Sequence, residues 1–239
     1  MRRDRPTISA VLPAFNEEAN LERTVGELVP VLARASADFE IIVVDDGSSD
    51  RTGEVAHRLR ESMATLRVVR HPRNLGYGAA LRTGFGAATR EWILLVDADG
   101  QFAAQDLLLL VARAPEADLV LGYREHRADA PHRRGYAAIW RALMRGLFGL
   151  GVRDIDCGFK LMRTSLVQSL ALWAGGALIS AELLAKAQRR GARMVEVPVS
   201  HRPRLRGRAT GGNPRILFRA FYELARLWWR IRRFPAAAS

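Results

Sequence analysis

Trp92-Ile93-Leu94-Leu95-Val96 runs directly into Asp97-Ala98-Asp99-Gly100-Gln101. An apolar run of strand length, closed by two carboxylates one residue apart, predicts a strand covered on both faces whose carboxyl end opens on a site. Glu40–Asp46 (EIIVVDD) repeats that pattern earlier in the chain. Working outward, Thr7–Phe15 reads as a first strand, followed by a helix from Glu17 to about Ala33. Ser49 is placed to cap a helix running to about Met63. Leu66–Arg70 and Leu119–Tyr123 read as further strands, with helices over Gly78–Thr89 and Ala104–Arg113 between them. Strands and helices alternating at this rhythm predict an α/β domain with a mostly parallel central sheet and helices on both faces.

In such sheets ligands bind at the carboxyl ends of the strands. Asn16 and Glu17 follow the first strand, Asp45 and Asp46 end the second, and Asp97 and Asp99 follow the fourth. Asp97 and Asp99 can approach one divalent cation together, and Gln101 can add a neutral oxygen. Hard oxygen ligands suit Mg²⁺ or Mn²⁺, which keep open positions for phosphate oxygens.

The second half reads differently. Arg134–Leu150 is a helix with apolar and arginine faces, Ser180–Arg190 a helix ended by Gly191, and Met194–His201 a late strand. Gly207–Pro214 is the expected mobile loop, and Pro214–Phe234 a terminal helix. With no internal repeat, the expected organisation is a catalytic domain over residues 1–210 and a basic amphipathic helix over 211–239.

Composition narrows the classes. The 239 residues, 49 % of them hydrophobic, suffice for one large core. No apolar run reaches spanning length, and no secretory leader is visible. The one cysteine, Cys157, excludes a disulfide framework and reads as a packed residue, which fits a reducing compartment. The net charge is +12 and uneven: residues 201–239 hold ten arginines and one acid, Glu223. Residues 121–163 are the second basic segment, with nine basic and four acidic side chains. Two basic surfaces point to an anionic partner. Nucleic-acid binding would interleave arginines with exposed aromatics, and it leaves the acidic strand ends unexplained. Gly76-Tyr77-Gly78 lacks the third glycine of a dinucleotide fingerprint, and no P-loop is present.

Four motifs together resemble family 2 glycosyltransferases: Leu12-Pro13-Ala14-Phe15-Asn16-Glu17-Glu18, Val43-Val44-Asp45-Asp46-Gly47-Ser48-Ser49-Asp50, Asn74-Leu75-Gly76-Tyr77-Gly78 and Asp97-Ala98-Asp99-Gly100-Gln101. Asp154-Ile155-Asp156-Cys157-Gly158-Phe159-Lys160 and Glu196-Val197-Pro198-Val199 are similar to the dolichyl- or polyprenyl-phosphate mannosyl- and glucosyltransferase branch. The resemblance covers roughly residues 7–210 and implies a GT-A type fold. It implies that Pro13, Ala14, Phe15, Glu17, Val44, Asp46, Asp97 and Arg206 bind a nucleotide-sugar donor. It assigns the metal to Asp97, Asp99 and Gln101. Arg124, Arg134 and Arg204 fall to the acceptor phosphate, and Asp154 and Asp99 to catalysis. Ala138 and Ala209-Thr210 depart from the family's usual serine and Ser-Lys.

The implied activity is inverting transfer of a hexose from a GDP-mannose or UDP-glucose type donor to a polyprenyl-phosphate acceptor. A family 2 enzyme with a hydroxyl acceptor and a non-catalytic sugar-nucleotide binder are the alternatives. Glu182 is a lesser carboxylate candidate. In the terminal helix Leu217, Phe221, Leu224, Trp228 and Ile231 form an apolar stripe with arginine flanks. It is expected to dock the chain peripherally on the cytoplasmic face of an anionic membrane.

Overall fold

The computed structural model describes residues 5–125, 131–176, 178–203 and 214–235, with side chains of 131–138 and 214–222 left aside. Its centre is a seven-stranded sheet. The strands are β1 (Thr7–Ala14), β2 (Asp38–Asp45), β3 (Leu66–Arg70), β4 (Trp92–Val96), β5 (Leu119–Arg124), β6 (Phe159–Arg163) and β7 (Met194–Val199). Their order is β3-β2-β1-β4-β6-β5-β7. Strands β1 to β4 are mutually parallel, and β6 runs antiparallel to both β4 and β5. The chain winds outward from β1 through β2 to β3, then returns to β4 on the other side of β1. That reversal opens a crevice at the carboxyl ends of β1 and β4, where open α/β sheets bind ligands.

The α-helices among the described residues are α1 (Leu21–Ala35), α2 (Thr52–Ser62), α3 (Tyr77–Ala87), α4 (Leu107–Arg113), α5 (Pro131–Phe148), α6 (Thr164–Ser169), α7 (Leu178–Arg189) and α8 (Pro214–Arg233). Strand side chains alternate between two cores. Ile8, Ala10, Leu12, Ile41 and Val43 meet α1, α2 and α4. Val11, Ile42, Val44, Ile93 and Leu95 meet α3, α6 and α7. All five residues of β4 are buried, as its apolar run predicts.

Four features differ from the sequence reading, each for a structural reason. Asn16 adopts φ 56°, and Asn20 and Leu21 N–H both donate to the Glu17 carbonyl, so a turn precedes α1. Ser49 does not cap α2, because the helix begins only at Thr52 and Ser49 Oγ donates to Asn16 Oδ1 at 3.3 Å. Asp50 Oδ1 instead accepts from Thr52 N–H at 2.9 Å. The third is that β6 and α6 form where no element was expected. The fourth concerns the terminal helix, where Leu224, Leu227 and Ile231 are buried in the core beside α7. The second half of that apolar stripe therefore faces protein, and Trp229, Arg226, Arg230, Arg232 and Arg233 are exposed. Among the described residues no helix is long and apolar enough to cross a membrane.

At the end of the sheet opposite the crevice, Glu40 ties three segments together. Its Oε1 accepts from Ser9 Oγ at 2.7 Å and from Thr89 N–H and Oγ1 at 2.8 and 2.7 Å. Arg67 Nε lies 3.3 Å from Oε2. Burial alone would raise the carboxyl pKa, but these hydrogen bonds and the guanidinium hold it below the ordinary range. A depressed carboxylate stabilises the fold above its unfolded pKa, and that gain is lost as pH falls through the folded one. Glu40→Gln is accordingly expected to lower Tm by a few degrees at pH 7, with the gap to wild type closing under acid. A gap unchanged down to pH 3 would contradict this assignment.

Candidate active site

Three loops from the strand ends are stitched together before any ligand enters. After β1, Asn16 N–H donates to Ser48 Oγ at 3.0 Å and Glu17 N–H to Thr52 Oγ1 at 2.8 Å. Glu17 is buried, and its Oε2 accepts from Asn20 at 2.7 Å. After β2, Asp45 Oδ1 accepts from Ser48 N–H at 2.9 Å and Oδ2 meets Arg70 Nε at 3.1 Å. Asp46 holds the segment leading to α3. Its Oδ1 takes His71 Nδ1 at 2.6 Å and Leu75 N–H at 2.9 Å, and its Oδ2 takes Gly76 N–H at 2.8 Å. Gly47, at φ 67°, lies so close to the Arg73 backbone that no Cβ fits there.

Asp97 and Asp99 sit at the end of β4. Tyr77 Oη donates to Asp97 Oδ1 at 2.9 Å, and Gln101 N–H donates to Asp99 Oδ1 at 3.0 Å. Burial first, and the charge of Asp99 second, push the Asp97 carboxyl up to about 7. Tyr77, Lys160 and Arg124 act in the opposite direction. Gln101 Nε2 donates to the Arg202 carbonyl at 3.0 Å, so Oε1 is the atom it can present to a cation. These donors fit a hard divalent cation: two carboxylates whose repulsion a cation would relieve, and one amide oxygen. Among the described residues no group of three or more His, Cys, Asp or Glu side chains is arranged to hold a metal by itself. Such an open set suits an ion that completes its shell with substrate phosphates and water.

Across the crevice, Arg124 at the end of β5 grips Asp154 with a two-pronged contact. Nε meets Oδ2 at 2.7 Å, Nη2 meets Oδ1 at 2.9 Å, and the Arg124 N–H adds a third bond at 3.3 Å. Burial works against the guanidinium's charge, and Asp154 more than offsets it, raising the Arg124 pKa. Asp154 is thus engaged on both oxygens as the holder of Arg124. Glu182 is not part of the crevice. Fully buried, it accepts from Trp173 and Ala174 N–H at 2.8 and 2.7 Å and pairs with Lys186 at 2.6 Å.

The fold therefore brings Asp97, Asp99, Gln101, Arg124 and Asp154 to one rim, with Pro13 and Ala14 at the end of β1 and Phe15 and Glu17 just after it. Val44 packs its side chain into the core beneath α3. Arg134 lies in α5 with its side chain among those left aside. Arg204, Arg206 and the loop expected at Gly207–Pro214 lie outside the described residues. Two residues were missed by sequence reasoning. Tyr77 was inside a quoted motif without a role. Lys160, fully buried in β6 and bonded to the Cys157 carbonyl, was legible as a charge within the apolar run FKLMR.

Residues 9–171 match the family model described as Glycosyl transferase family 2. Glycosyltransferase AglD of Haloferax volcanii is 32 % identical over 240 residues, 94 % of this chain and 37 % of its own. Dolichyl-phosphate beta-glucosyltransferase ALG5D of Trichomonas vaginalis is 29 % identical over 227 residues, 82 % of this chain and 66 % of its own. The chain thus spans between 37 % and 66 % of the length of these curated relatives. Among solved structures, glucosyl-3-phosphoglycerate synthase from Mycobacterium tuberculosis was crystallised with Mn²⁺, uridine-diphosphate-glucose and phosphoglyceric acid. It superposes with a TM-score of 0.70 at 22 % identity, covering 96 % of this chain and 81 % of its own. That likeness identifies the fold as GT-A type.

Cys157 adjoins these groups but is not built as a nucleophile. Burial pushes its thiol up to about 12, and Sγ points to the Phe159 carbonyl at 3.9 Å. At pH 8 a disulfide reagent is expected to label the folded protein at least ~100-fold more slowly than the guanidinium-unfolded chain, for want of thiolate. Comparable rates in the two states would refute the packed role.

Proposed function

The chain belongs to glycosyl transferase family 2, and on that premise we propose an inverting hexosyltransferase that uses a nucleotide sugar and a polyprenyl-phosphate acceptor. The observation that carries the reading is the Arg124–Asp154 fork facing the Asp97–Asp99 rim. It sets an anchored cation for one phosphate opposite a carboxylate pair for the metal of another. The donor is of the GDP-mannose or UDP-glucose type. The Mycobacterium neighbour was crystallised with a uridine-diphosphate sugar and Mn²⁺, and the Trichomonas relative is named for a dolichyl-phosphate acceptor.

In this reading an acceptor phosphate oxygen attacks the sugar's anomeric carbon from the face opposite the leaving group. The carbon–oxygen bond to the diphosphate breaks, its electron pair departs with the nucleoside diphosphate, and the anomeric centre inverts. A bound Mg²⁺ or Mn²⁺ would supply electrostatic stabilisation of the negative charge on the leaving diphosphate. Asp97, Asp99 and Gln101 would hold it. A phosphate monoester, with a second pKa of about 6, is ionised near neutrality and needs positioning more than a base. Arg124 does that positioning, and Asp154 acts by orienting Arg124. Arg134 and Arg204 join at the acceptor phosphate, and Arg206 on the donor. Pro13, Ala14, Phe15 and Glu17 border the nucleoside and Asp46 shapes the 71–76 segment beside it, while Val44, its side chain in the core, has only backbone to offer there. Residues 1–210 form the catalytic unit and 211–239 its basic helix.

A transfer assay with each nucleotide sugar, Mn²⁺ and a polyprenyl phosphate tests the reading. Asp99→Ala is expected to abolish transfer and the Mn²⁺ dependence of nucleotide binding. Arg124→Ala is expected to weaken acceptor use by about 10- to 100-fold, the worth of a charge-assisted bond, with donor affinity kept. Lysine at 124 cannot reproduce the fork and should not rescue. Full activity of Asp99→Ala would sink the metal assignment. Donor affinity lost in Arg124→Ala would move that arginine to the diphosphate pocket.

Peripheral contact with the cytoplasmic face of an anionic membrane belongs to the same reading. Trp229, 52 % exposed, and the exposed Arg226, Arg230, Arg232 and Arg233 form the outward face of α8. An arginine near an anionic surface contributes about 1 kcal/mol. Reversing two of them, Arg232→Glu with Arg233→Glu, should largely abolish sedimentation with phosphatidylserine vesicles and lower Tm by no more than the loss of their stacks on Trp228 and Trp229. Undiminished sedimentation would remove this face from membrane contact.

A further inference from the structure

Tyr77 opens α3, an element apart from the strand that carries the paired aspartates. Its hydroxyl donates to Asp97 Oδ1 at 2.9 Å. The opposite flank of the same carboxylate is Gly158, whose carbonyl accepts from Asp97 N–H at 3.2 Å. A Cβ on Gly158 would overlap the Asp97 carboxylate, so glycine is what leaves it room. A carboxylate with a donor on one oxygen and backbone against the other is held to one orientation. Without the phenol, the charge of Asp99 would be free to turn it away.

The phenol is itself delivered by a rigid start to α3. Gly76, at φ 96°, makes a turn that other residues rarely adopt. Leu75 and Gly76 N–H are fixed by Asp46, and Gly78 N–H donates to the Gly175 carbonyl at 2.9 Å. A Cβ on Gly76 would come within 2.7 Å of that carbonyl oxygen, and one on Gly78 would strike the same loop. Behind it, Glu182 holds Trp173 and Ala174 N–H, and Lys186 donates to the Ala171 carbonyl at 2.8 Å.

We propose that Tyr77 is a positioning residue that presets Asp97 to receive the divalent cation. The inference rests on the metal site proposed above. It makes the first residue of a helix on one side of the crevice part of the ligand geometry on the other. Groups that orient a ligand in this way typically govern metal affinity by about 10- to 100-fold.

The test is a Mn²⁺ titration of wild type, Tyr77→Phe and Gly158→Ala, following free Mn²⁺ by electron paramagnetic resonance with UDP or GDP present. Tyr77→Phe is expected to raise the Mn²⁺ Kd at least ~10-fold. Its metal-free nucleotide affinity should stay at the wild-type value, and saturating Mn²⁺ should restore most of kcat. Gly158→Ala displaces the same carboxylate from its other side and should raise the Kd likewise. In an Asp97→Asn background, Tyr77→Phe should add nothing to the Kd, whereas a merely structural role would still weaken binding. Unchanged Mn²⁺ affinity in either single variant overturns the proposal. A wild type that takes up no Mn²⁺ with either nucleotide overturns the metal site itself and this inference with it.

Discussion

Two carboxylates one residue apart at the mouth of a buried strand repel each other, and the surrounding architecture answers that repulsion. Burial and the Asp99 charge push the Asp97 carboxyl up to about 7, so its ionised form is not one the strand end favours unaided. Tyr77 offers a neutral donor, and Lys160 and Arg124 add positive potential from β6 and β5. None of the three cancels the pair. A divalent cation would supply the further compensation, which suits a metal that arrives with its substrate.

The antiparallel strand β6 makes that compensation possible. It inserts between β4 and β5, pairing Val96 with Phe159 and Leu95 with Lys160. The turn before it places Asp154, Cys157 and Gly158 against the aspartate end of β4. One short strand thus joins the Asp97–Asp99 rim to Arg124, because its preceding turn supplies both the arginine's partner and the wall behind Asp97. A parallel strand there would carry its leading turn to the far end of the sheet, away from the site.

The five strands read from apolar runs all form, and β3 and β4 keep their expected bounds, because period and length report burial on two faces directly. The acidic strand ends were legible too, since the fold class alone says which end of the sheet binds. What stayed hidden were the pairings between distant segments. Asp154 reads as a candidate base until its oxygens are seen on Arg124, thirty residues away. Glu182 reads as a spare carboxylate until the loop it anchors is in view. FKLMR, interrupted by Lys160 and flanked by no clear turn-helix rhythm, did not announce a central strand. Ser49 has capping chemistry, but Asn16 engages its hydroxyl, a contact across thirty-three residues that no local rule contains.

The terminal helix shows how such distant pairings reach the site. Trp173 lies under the guanidiniums of both Arg226 and Arg230, each 4.7 Å from its ring centroid. Arg189 donates to the Phe234 carbonyl at 3.1 Å and the Arg232 carbonyl at 3.4 Å, closing the carboxyl end of α8 onto α7. Each stacked cation contributes on the order of 0.5–1 kcal/mol at an exposed site. Burying Leu224, Leu227 and Ile231 contributes about 1.5–3 kcal/mol apiece. Apolar burial therefore holds the helix in place, and the arginines decide what it holds down. What they hold down is the loop whose Gly175 carbonyl receives Gly78 N–H, one residue past the tyrosine that touches Asp97. A helix that reads from its composition as a surface attachment is thereby three contacts removed from the Asp97 carboxylate.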